Sequence, residues 1–352
     1  GSEKNIVFSE LSNSLSFTYF MDYNIGFSIA DRNIINCSFS DDIMKLGLYG
    51  NFDYQGQTID FSNTNIRVDR FQQYKIDYTH NINNINIKSA ISYLVGNYHA
   101  SFIVNNGSIY TAPLGTYIDI NYDITANTTN ESGFDIFTNN GNGLAFDTDV
   151  NIDLEKYKIN LYIKDWGHIN WKEESMHYNT DSSFVFSGVE IENIFSFNDS
   201  VLDQYSNNNY IHESNSSFKS YIPANFGFAI AHQIKDKKYT KEAYRKKQHI
   251  ESISAGLNIR WQPYQENNGL GQGIKESNYT PLLWTSAIAS IKYFNIIPTL
   301  SYGGYSEDIN LGIALSAGKN NNFIIGTQHL EDVFSGDKSK AVSLYFQLLK
   351  QF

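Results

Sequence analysis

Five aspartates alternate with apolar residues along two short stretches of the chain, 117–124 and 144–154. They are Asp119 and Asp123 in the first stretch and Asp147, Asp149 and Asp153 in the second. Hard cations prefer clustered carboxylate oxygens, so the set could attract cations or hold Ca²⁺. The alternative is a hydrated surface on which these acids are partly ion-paired and need no ligand. The cations on the same predicted face are Lys75, Lys88, Lys164 and Arg260.

A second charged stretch, 235–249, is basic in a chain whose net charge is -11. Its cations are Lys235, Lys237, Lys238, Lys241, Arg245, Lys246 and Lys247. A dense basic segment can bind anionic lipid head groups, peptidoglycan or an acidic partner protein. A solvated loop is the simpler interpretation, and the sequence does not decide between the two.

No motif in the sequence predicts catalysis or a cofactor. His168 would need a nucleophile within reach, and the chain contains no GxSxG elbow. The other histidines lack the HExxH spacing of a zinc site. The single cysteine, Cys37, excludes an internal disulfide framework and a cysteine metal site. We therefore predict that the protein is not an enzyme and holds no cofactor or metal.

The segments that carry these charges have the sequence pattern of β-strands. Apolar and polar residues alternate along 144–154, and the same pattern recurs at 117–124, 252–261 and 342–352. Successive side chains of a strand point to opposite faces, so each segment has one apolar and one polar face. In a soluble sandwich the apolar face forms the core, whereas in a membrane barrel it faces lipid.

The composition favours the membrane alternative. Charged residues make up 18% of the chain, against roughly 25% in soluble proteins, and aromatic residues make up 15%. Tyrosine suits a membrane interface, where one end of the ring is dry and the other is wet. The sequence has no run of about 18 apolar residues, so only a closed barrel could cross a bilayer. The net charge argues against nucleic acid as a partner.

We count fourteen strand-like segments within one domain, residues 1–352, and an even number is expected of a bacterial single-chain barrel. The segments are 15–32, 71–82, 85–95, 98–111, 115–125, 142–155, 157–169, 223–235, 249–262, 282–294, 295–303, 309–318, 322–330 and 341–352. Their connections alternate between short turns and long loops. In a membrane barrel the periplasmic connections are short and the external ones are long. Gly96-Asn97 and 236–248 are exceptions.

The pattern predicts an all-β fold: a transmembrane, antiparallel, up-and-down β-barrel of about 14 strands, with short helices in its long loops. The two predicted helices are 41–49 and 198–205, which begin with good N-capping residues and place apolar groups at helical spacing. The opening Gly1-Ser2 looks like a cloning remnant, which would fit an exported chain.

Several segments resemble a known group of proteins. They are the runs from Gly141 (GNGLAFDTDVNIDLEKYKINLYIKDWGHINW), Asp199 (DSVLDQY), Tyr221 (YIPANFGFAI) and Ile309 (INLGIALSAGKNNNFIIGTQHLEDV). Together they are similar to a family of uncharacterised outer-membrane β-barrels of Bacteroidota. That group distantly resembles the long-chain fatty-acid channel and the shuttle barrel of the type IX secretion system. The resemblance implies a fourteen-stranded barrel in the bacterial outer membrane and supplies no catalytic residues.

Two functions follow from these expectations. The first is a porin-like channel or transporter for small or amphipathic solutes, in which the loop helices line an apolar pocket. The second is a barrel component or scaffold of a type IX secretion or surface-protein complex, which would bind a partner through the loops 170–222 and 236–248. In both cases the barrel is monomeric and surrounded by outer-membrane lipid. A soluble all-β sandwich is a third alternative.

Overall fold

The structure is a computed structural model of the chain. It describes residues 4–19, 24–129, 137–173, 175–186, 212–234, 249–264, 270–291, 294–317, 323–333 and 341–348. Within these residues the chain is almost entirely antiparallel β-structure, with three short helices. The predicted all-β, up-and-down class is confirmed. No helix in the described ranges is long and apolar enough to cross a membrane.

Eighteen strands within the described ranges form one sheet. They are β1 (Lys4–Tyr19), β2 (Ile25–Ser40), β3 (Gln57–Asp60), β4 (Asn65–Ile82), β5 (Ile85–Thr111), β6 (Ile118–Thr128), β7 (Gly141–Asp153), β8 (Tyr157–Trp171), β9 (Met176–Phe186), β10 (His212–Asn215), β11 (Phe218–Tyr221), β12 (Ala224–Gln233), β13 (His249–Trp261), β14 (Thr280–Ile291), β15 (Phe294–Gly304), β16 (Asp308–Ala317), β17 (Phe323–Thr327) and β18 (Tyr345–Leu348). The helices are α1 (Asp41–Tyr49), α2 (Leu270–Glu276) and α3 (Leu330–Val333).

Thirteen of these strands follow one another as a continuous antiparallel wall. The order is β1, β2, β4, β5, β7, β8, and then β12 to β18. The other five strands lie in connections at one end of the wall, where they lengthen it. There β6 pairs with the second half of β5 and with β9, β3 also pairs with β5, β9 pairs with β10, and β11 pairs with β8.

Side chains of β1 contact residues that flank β14 and β15, several strands further along the wall. Lys4 Nζ lies 2.9 Å from Asn278 Oδ1, and the ring of Phe8 stacks on that of Tyr305 at 4.7 Å. Among the described residues β1 pairs only with β2, and β18 pairs only with β17. Because every pairing in the wall is antiparallel, β1 and β18 run in the same direction.

Two predicted strand assignments were wrong. The segment 15–32 spans the end of β1 and the start of β2, which form a hairpin. The segments 85–95 and 98–111 belong to one strand, β5, of 27 residues. Gly96-Asn97 is therefore no connection: the register shifts opposite Arg70 and Phe71, which leaves Asn97 as the extra residue of a β-bulge. Gly96 is needed because a Cβ there would lie 2.5 Å from the Trp171 ring.

Burial along the wall is reversed relative to a soluble protein. On β4 the inward side chains Arg67 and Asp69 are 2% and 1% exposed, whereas the outward Ile76 is 55% exposed. Leu283 on β14 and Leu300 on β15 are 56% and 47% exposed on the outer face. Alternation along each strand thus places charge inside and large apolar side chains outside.

Helix α1 follows β2 directly and confirms the prediction at 41–49. Ser40 Oγ accepts a hydrogen bond from the Ile43 backbone N–H at 3.3 Å, which caps the first turn. Asp41 and Asp42 occupy the same turn, where negative charge is favourable. The chain leaves the helix at Gly50, whose φ of 78° suits glycine. The second predicted helix, 198–205, lies outside the described residues.

Candidate functional site

A layer of ion pairs crosses the interior between β1, β2, β4, β7 and β8, and we call it the charged layer. Its members are Glu10, Arg32, Gln73, Lys75, Asp147 and Asp165. Each inward position follows from strand alternation except that of Asp165. On β8 this residue has the same parity as the apolar Ile159, Leu161 and Ile163, so regular alternation would point it outward.

Asp165 turns inward because the β7–β8 register shifts between Phe146 and Thr148. It has a positive φ of 58°, which is uncommon for a residue other than glycine. Its backbone N–H donates to Asp147 Oδ1 at 2.8 Å. The bulge therefore exposes the next side chain, Trp166, on the outer face at 53% and places the Asp165 carboxylate in the interior.

Three side chains from β2 and β4 converge on that carboxylate. Arg32 Nη1 donates to Asp165 Oδ2 at 2.8 Å, and Gln73 Nε2 donates to Asp165 Oδ1 at 2.9 Å. Lys75 Nζ lies 3.7 Å from the same oxygen and also pairs with Asp147. The second guanidinium nitrogen of Arg32 binds Glu10 at 2.5 Å. The layer thus links five strands of the wall, β1, β2, β4, β7 and β8, through two cations and three carboxylates.

An apolar cluster packs beside the charged layer, nearer the end that carries the long connections. Ile34, Phe71, Leu94 and Ile169 are at most 1% exposed and contact one another together with Trp171 and Ile222. A further charged group lies next to this cluster: His99 Nδ1 is 2.7 Å from Asp69 Oδ1, and the His99 ring lies 5.4 Å from that of Trp171. This side of the interior is therefore filled by side chains.

Arg67 and Tyr264 extend this filled region towards the long connections. The Arg67 guanidinium lies over the Tyr264 ring, 3.8 Å from its centroid, and Tyr264 Oη donates to Asn65 Oδ1 at 2.8 Å. Burial raises the pKa of Tyr264 well above its usual value, so its hydroxyl stays protonated as a donor.

The opposite wall, β13 to β16, carries both small and large inward side chains. Ser252, Ser301, Ala314 and Ser316 are all buried, and Ser254 Oγ lies 2.9 Å from Ser286 Oγ on the neighbouring strand. Larger side chains on the same face are Arg260, which is 6% exposed, and Trp284, whose ring would lie 2.6 Å from a Cβ on Gly256. This side of the interior therefore combines hydroxyl groups with two bulky side chains.

The predicted acidic patch is divided between separate places. Asp147 is in the charged layer, Asp149 Oδ1 accepts from Asn160 Nδ2 at 2.8 Å, and Asp153 lies 3.9 Å from Lys158 Nζ. Asp119 and Asp123 lie on β6, which does not pair with β7: the two strands contact different halves of β5. Placing all five aspartates on neighbouring strands was therefore wrong, because the length of β5 could not be read from the sequence.

The four predicted interior cations have partners of different kinds. Lys75 is in the charged layer, and Lys88 pairs with Asp77 at 3.1 Å. Lys164 lies over the Tyr162 ring at 5.0 Å, and Arg260 lies over the Phe8 ring at 4.2 Å. The basic residues 235–247 lie outside the described residues. No group of three or more His, Cys, Asp or Glu side chains in the described ranges is arranged to hold a metal ion.

Sequence reasoning missed Glu10, Arg32, Gln73 and Asp165. For Asp165 a signal exists, because an acid at the apolar parity of a strand indicates a bulge that turns it inward. Arg32 lies on an otherwise regular strand, and its partner Asp165 is 133 residues away, so no local pattern could reveal the pair. His168, which was considered as a catalytic residue, lies edge-on to the Tyr221 ring at 6.0 Å.

The fold and its interior define the class: an all-β protein built on one antiparallel, up-and-down sheet, with charge inside and apolar side chains outside. The chain belongs to the DUF5723 family, a family of unknown function, whose profile matches residues 3–328. No curated protein and no solved structure matches the chain.

Proposed function

We propose that the chain is an integral β-barrel of the bacterial outer membrane and that it is not an enzyme. The observation that carries this proposal is the reversed burial of the wall. In water, the same arrangement would leave large apolar side chains such as Ile76 and Leu300 exposed while burying Arg32 and Asp165. In a bilayer the outward residues meet lipid, and the inward charges are paired in a polar interior.

The activity we propose is the passage of small or amphipathic solutes through the interior. Support comes from the side formed by β13 to β16, where the buried Ser252 and Ser301 and the paired Ser254 and Ser286 line the interior with hydroxyl groups. Solutes on this path would pass close to Arg32, Lys75 and the acids that pair with them. The charged layer would then be the narrowest and most selective level.

Reconstitution into liposomes tests the proposal. Osmotic swelling should report uptake of small solutes, and planar bilayers should show a conductance with a defined ion selectivity. Asp149→Lys reverses a charge on the inner face of β7 and should shift the reversal potential towards anion preference. Asp119→Lys makes the same change on β6, outside the wall, and should shift it much less. A protein that neither conducts nor takes up solute would contradict the transport proposal.

A second candidate function is a scaffold in a type IX secretion or surface-protein complex. The filled side of the interior favours it, because Phe71, Leu94 and Ile169 meet there with no exposure. This candidate predicts an electrically closed barrel and a stoichiometric protein partner. Purification from the native outer membrane in mild detergent, followed by mass spectrometry, distinguishes the two: a protein partner favours the scaffold, and a bound lipid or small solute favours transport.

A further inference from the structure

The wall ends in two strand edges that have no neighbour. Every other strand of the wall pairs on both sides, whereas among the described residues β1 pairs only with β2 and β18 pairs only with β17. An antiparallel strand directs its backbone N–H and C=O groups alternately to its two neighbours. About half of the backbone groups along the 16 residues of β1 therefore point to an edge that no strand covers.

Side chains along both edges are exposed as well. On β1 the outward Leu15 and Phe17 are 53% and 60% exposed, and Ser14 and Ser16, which face the interior, are also exposed. All four residues of β18, Tyr345–Leu348, are exposed. In the described part of the chain, a gap therefore lies between β1 and β18.

Such a gap is not stable in a bilayer, because hydrocarbon offers no partner for backbone N–H and C=O groups. It can close by direct pairing of β1 with β18 or by insertion of a further strand. Direct pairing would be parallel, since β1 and β18 run in the same direction, whereas the strands of bacterial barrels are antiparallel. An inserted strand can run antiparallel to both edges. It also raises the number of wall strands from thirteen to fourteen, and an even number is usual.

A second copy of the chain does not supply an antiparallel strand. The free strands in the described wall of such a copy are again β1 and β18. In a copy with the same orientation in the membrane, both run from the end with the long connections to the end with the short turns. They would meet the first copy only in parallel. The inserted strand therefore belongs to a different protein, and it runs from the short turns towards the long connections.

The two faces of β1 indicate the sequence pattern of that strand. Leu15 and Phe17 lie opposite Ile29 and Phe27 of β2 on the outer face, and the inner face of the same segment carries the hydroxyl of Ser14. Side chains of neighbouring strands that lie opposite each other share a face of the sheet. A strand beside β1 would therefore place apolar side chains outside and polar ones inside, which is the alternation of a membrane β-strand.

We propose that β1 and β18 hold between them one amphipathic β-strand of another protein, which pairs through its main chain on both edges. This inference rests on the proposed membrane location, and it gives the chain an interaction surface that passage of solutes does not require. Main-chain pairing recognises the alternation of the strand rather than any single side chain. A synthetic peptide with that alternation is therefore a suitable probe.

The test adds a peptide of about ten residues, in which leucine and threonine alternate, to the full chain in detergent. Hydrogen exchange of the chain alone should be fast within 12–17 and 345–348. The peptide should slow exchange in both segments and leave β4 and β14 unchanged. The control is the same peptide with N-methyl groups on alternate residues, which keeps the alternation but lacks the donors of one edge. It should bind at least about tenfold more weakly, because several hydrogen bonds are lost.

Two proline variants of β1 locate the contact. Successive N–H groups of a strand point alternately to its two neighbours, so one of Ser14→Pro and Leu15→Pro removes a donor of the free edge and the other removes a donor to β2. The variant that keeps its bond to β2 should unfold at the higher temperature of the two. That same variant should bind the peptide about fivefold more weakly than the wild type, which is the effect of one hydrogen bond.

Slow exchange within 12–17 in the absence of peptide would overturn the inference, because β1 and β18 would then pair directly. Equal binding of the methylated peptide, or protection of β4 or β14 instead, would also overturn it. If Leu300→Arg, a charge on the outer face, destabilises the protein in vesicles and the peptide does not bind, only the strand inference fails. If the peptide binds as described but the protein stays in solution without detergent, the membrane proposal fails and the strand site stands.

Discussion

Asp165 is the residue on which the charged layer depends. It accepts hydrogen bonds from Arg32 on β2 and from Gln73 on β4, while its backbone N–H donates to Asp147 on β7. A residue other than glycine at positive φ costs of order 1 kcal/mol or more. The ion pairs around the carboxylate offset that cost, so the strained conformation and the charges stabilise each other.

Replacing Arg32 by methionine tests this dependence. Arg32→Met keeps a long side chain but leaves Glu10 and Asp165 without their guanidinium partner. Breaking a buried pair in this way costs about 3–5 kcal/mol, because a carboxylate stays buried and unpaired. Urea unfolding of the reconstituted protein measures the change in unfolding free energy.

Lys158→Met provides the control. Lys158 Nζ lies 3.9 Å from Asp153 Oδ2, and both side chains are more than half exposed. We expect its loss to cost at most about 1 kcal/mol. Equal losses in the two variants would show that the charged layer does not carry the stability assigned to it.

At the level of elements, bulges decide which side chains enter the interior. The shift opposite Phe146 turns Asp165 inward, and the bulge at Asn97 lets β5 continue past the wall. The continued half of β5 then supports β3 and β6. Irregular positions on β5 and β8 thus produce both the charged layer and the extension of the sheet beyond the wall.

Helix α1 begins directly after β2, and its N-cap, Ser40, tests the local architecture at this end of the strand. Ser40→Ala removes the bond to the Ile43 N–H and should destabilise the helix by about 1 kcal/mol. Hydrogen exchange should then be faster within 43–49 and unchanged in β13 to β16. Ser40→Asp restores a capping oxygen and should restore protection; faster exchange in that variant too would contradict the assigned cap.

At the scale of the whole molecule, ion pairs cross-link the interior on the side of β1 to β8, and buried serines line part of the side formed by β13 to β16. Large apolar side chains such as Ile76, Leu283 and Leu300 lie on the outer face. The reversed burial supports the membrane proposal, and the hydroxyl-lined side supports the transport proposal.

Leu300→Arg tests the environment of the outer face. Leu300 is 47% exposed and lies in the middle of β15. In a bilayer, arginine near the midplane of a barrel strand costs about 2–4 kcal/mol. In water, a change at an exposed leucine is usually within about 0.5 kcal/mol of neutral. Unfolding from lipid vesicles measures the difference.

Leu270→Arg is the control for Leu300→Arg, because Leu270 is 71% exposed on α2, outside the sheet. It should be close to neutral in either environment. A neutral Leu300→Arg variant, in a protein that also stays in solution without detergent, would favour the soluble alternative.

Much of the fold could be predicted because it depends on short-range patterns. Strand alternation gave the all-β class and the outward apolar face, and capping residues gave α1. The boundary errors at 15–32 and at Gly96 arose where a hairpin or a bulge interrupts the pattern. Glycine is common in turns, so the sequence at Gly96 suggested a connection between two strands. In the structure Gly96 lies within β5 and leaves space for the Trp171 ring.

The sequence by itself therefore determined which faces are apolar and which are charged, because the period of two is a property of each strand alone. Only the tertiary structure decided which charges meet. Arg32 and Asp165 come together through the pairing of five wall strands and a register shift, and Asp119 is separated from Asp147 by the length of β5. Such contacts arise from long-range pairing, on which local alternation has no influence.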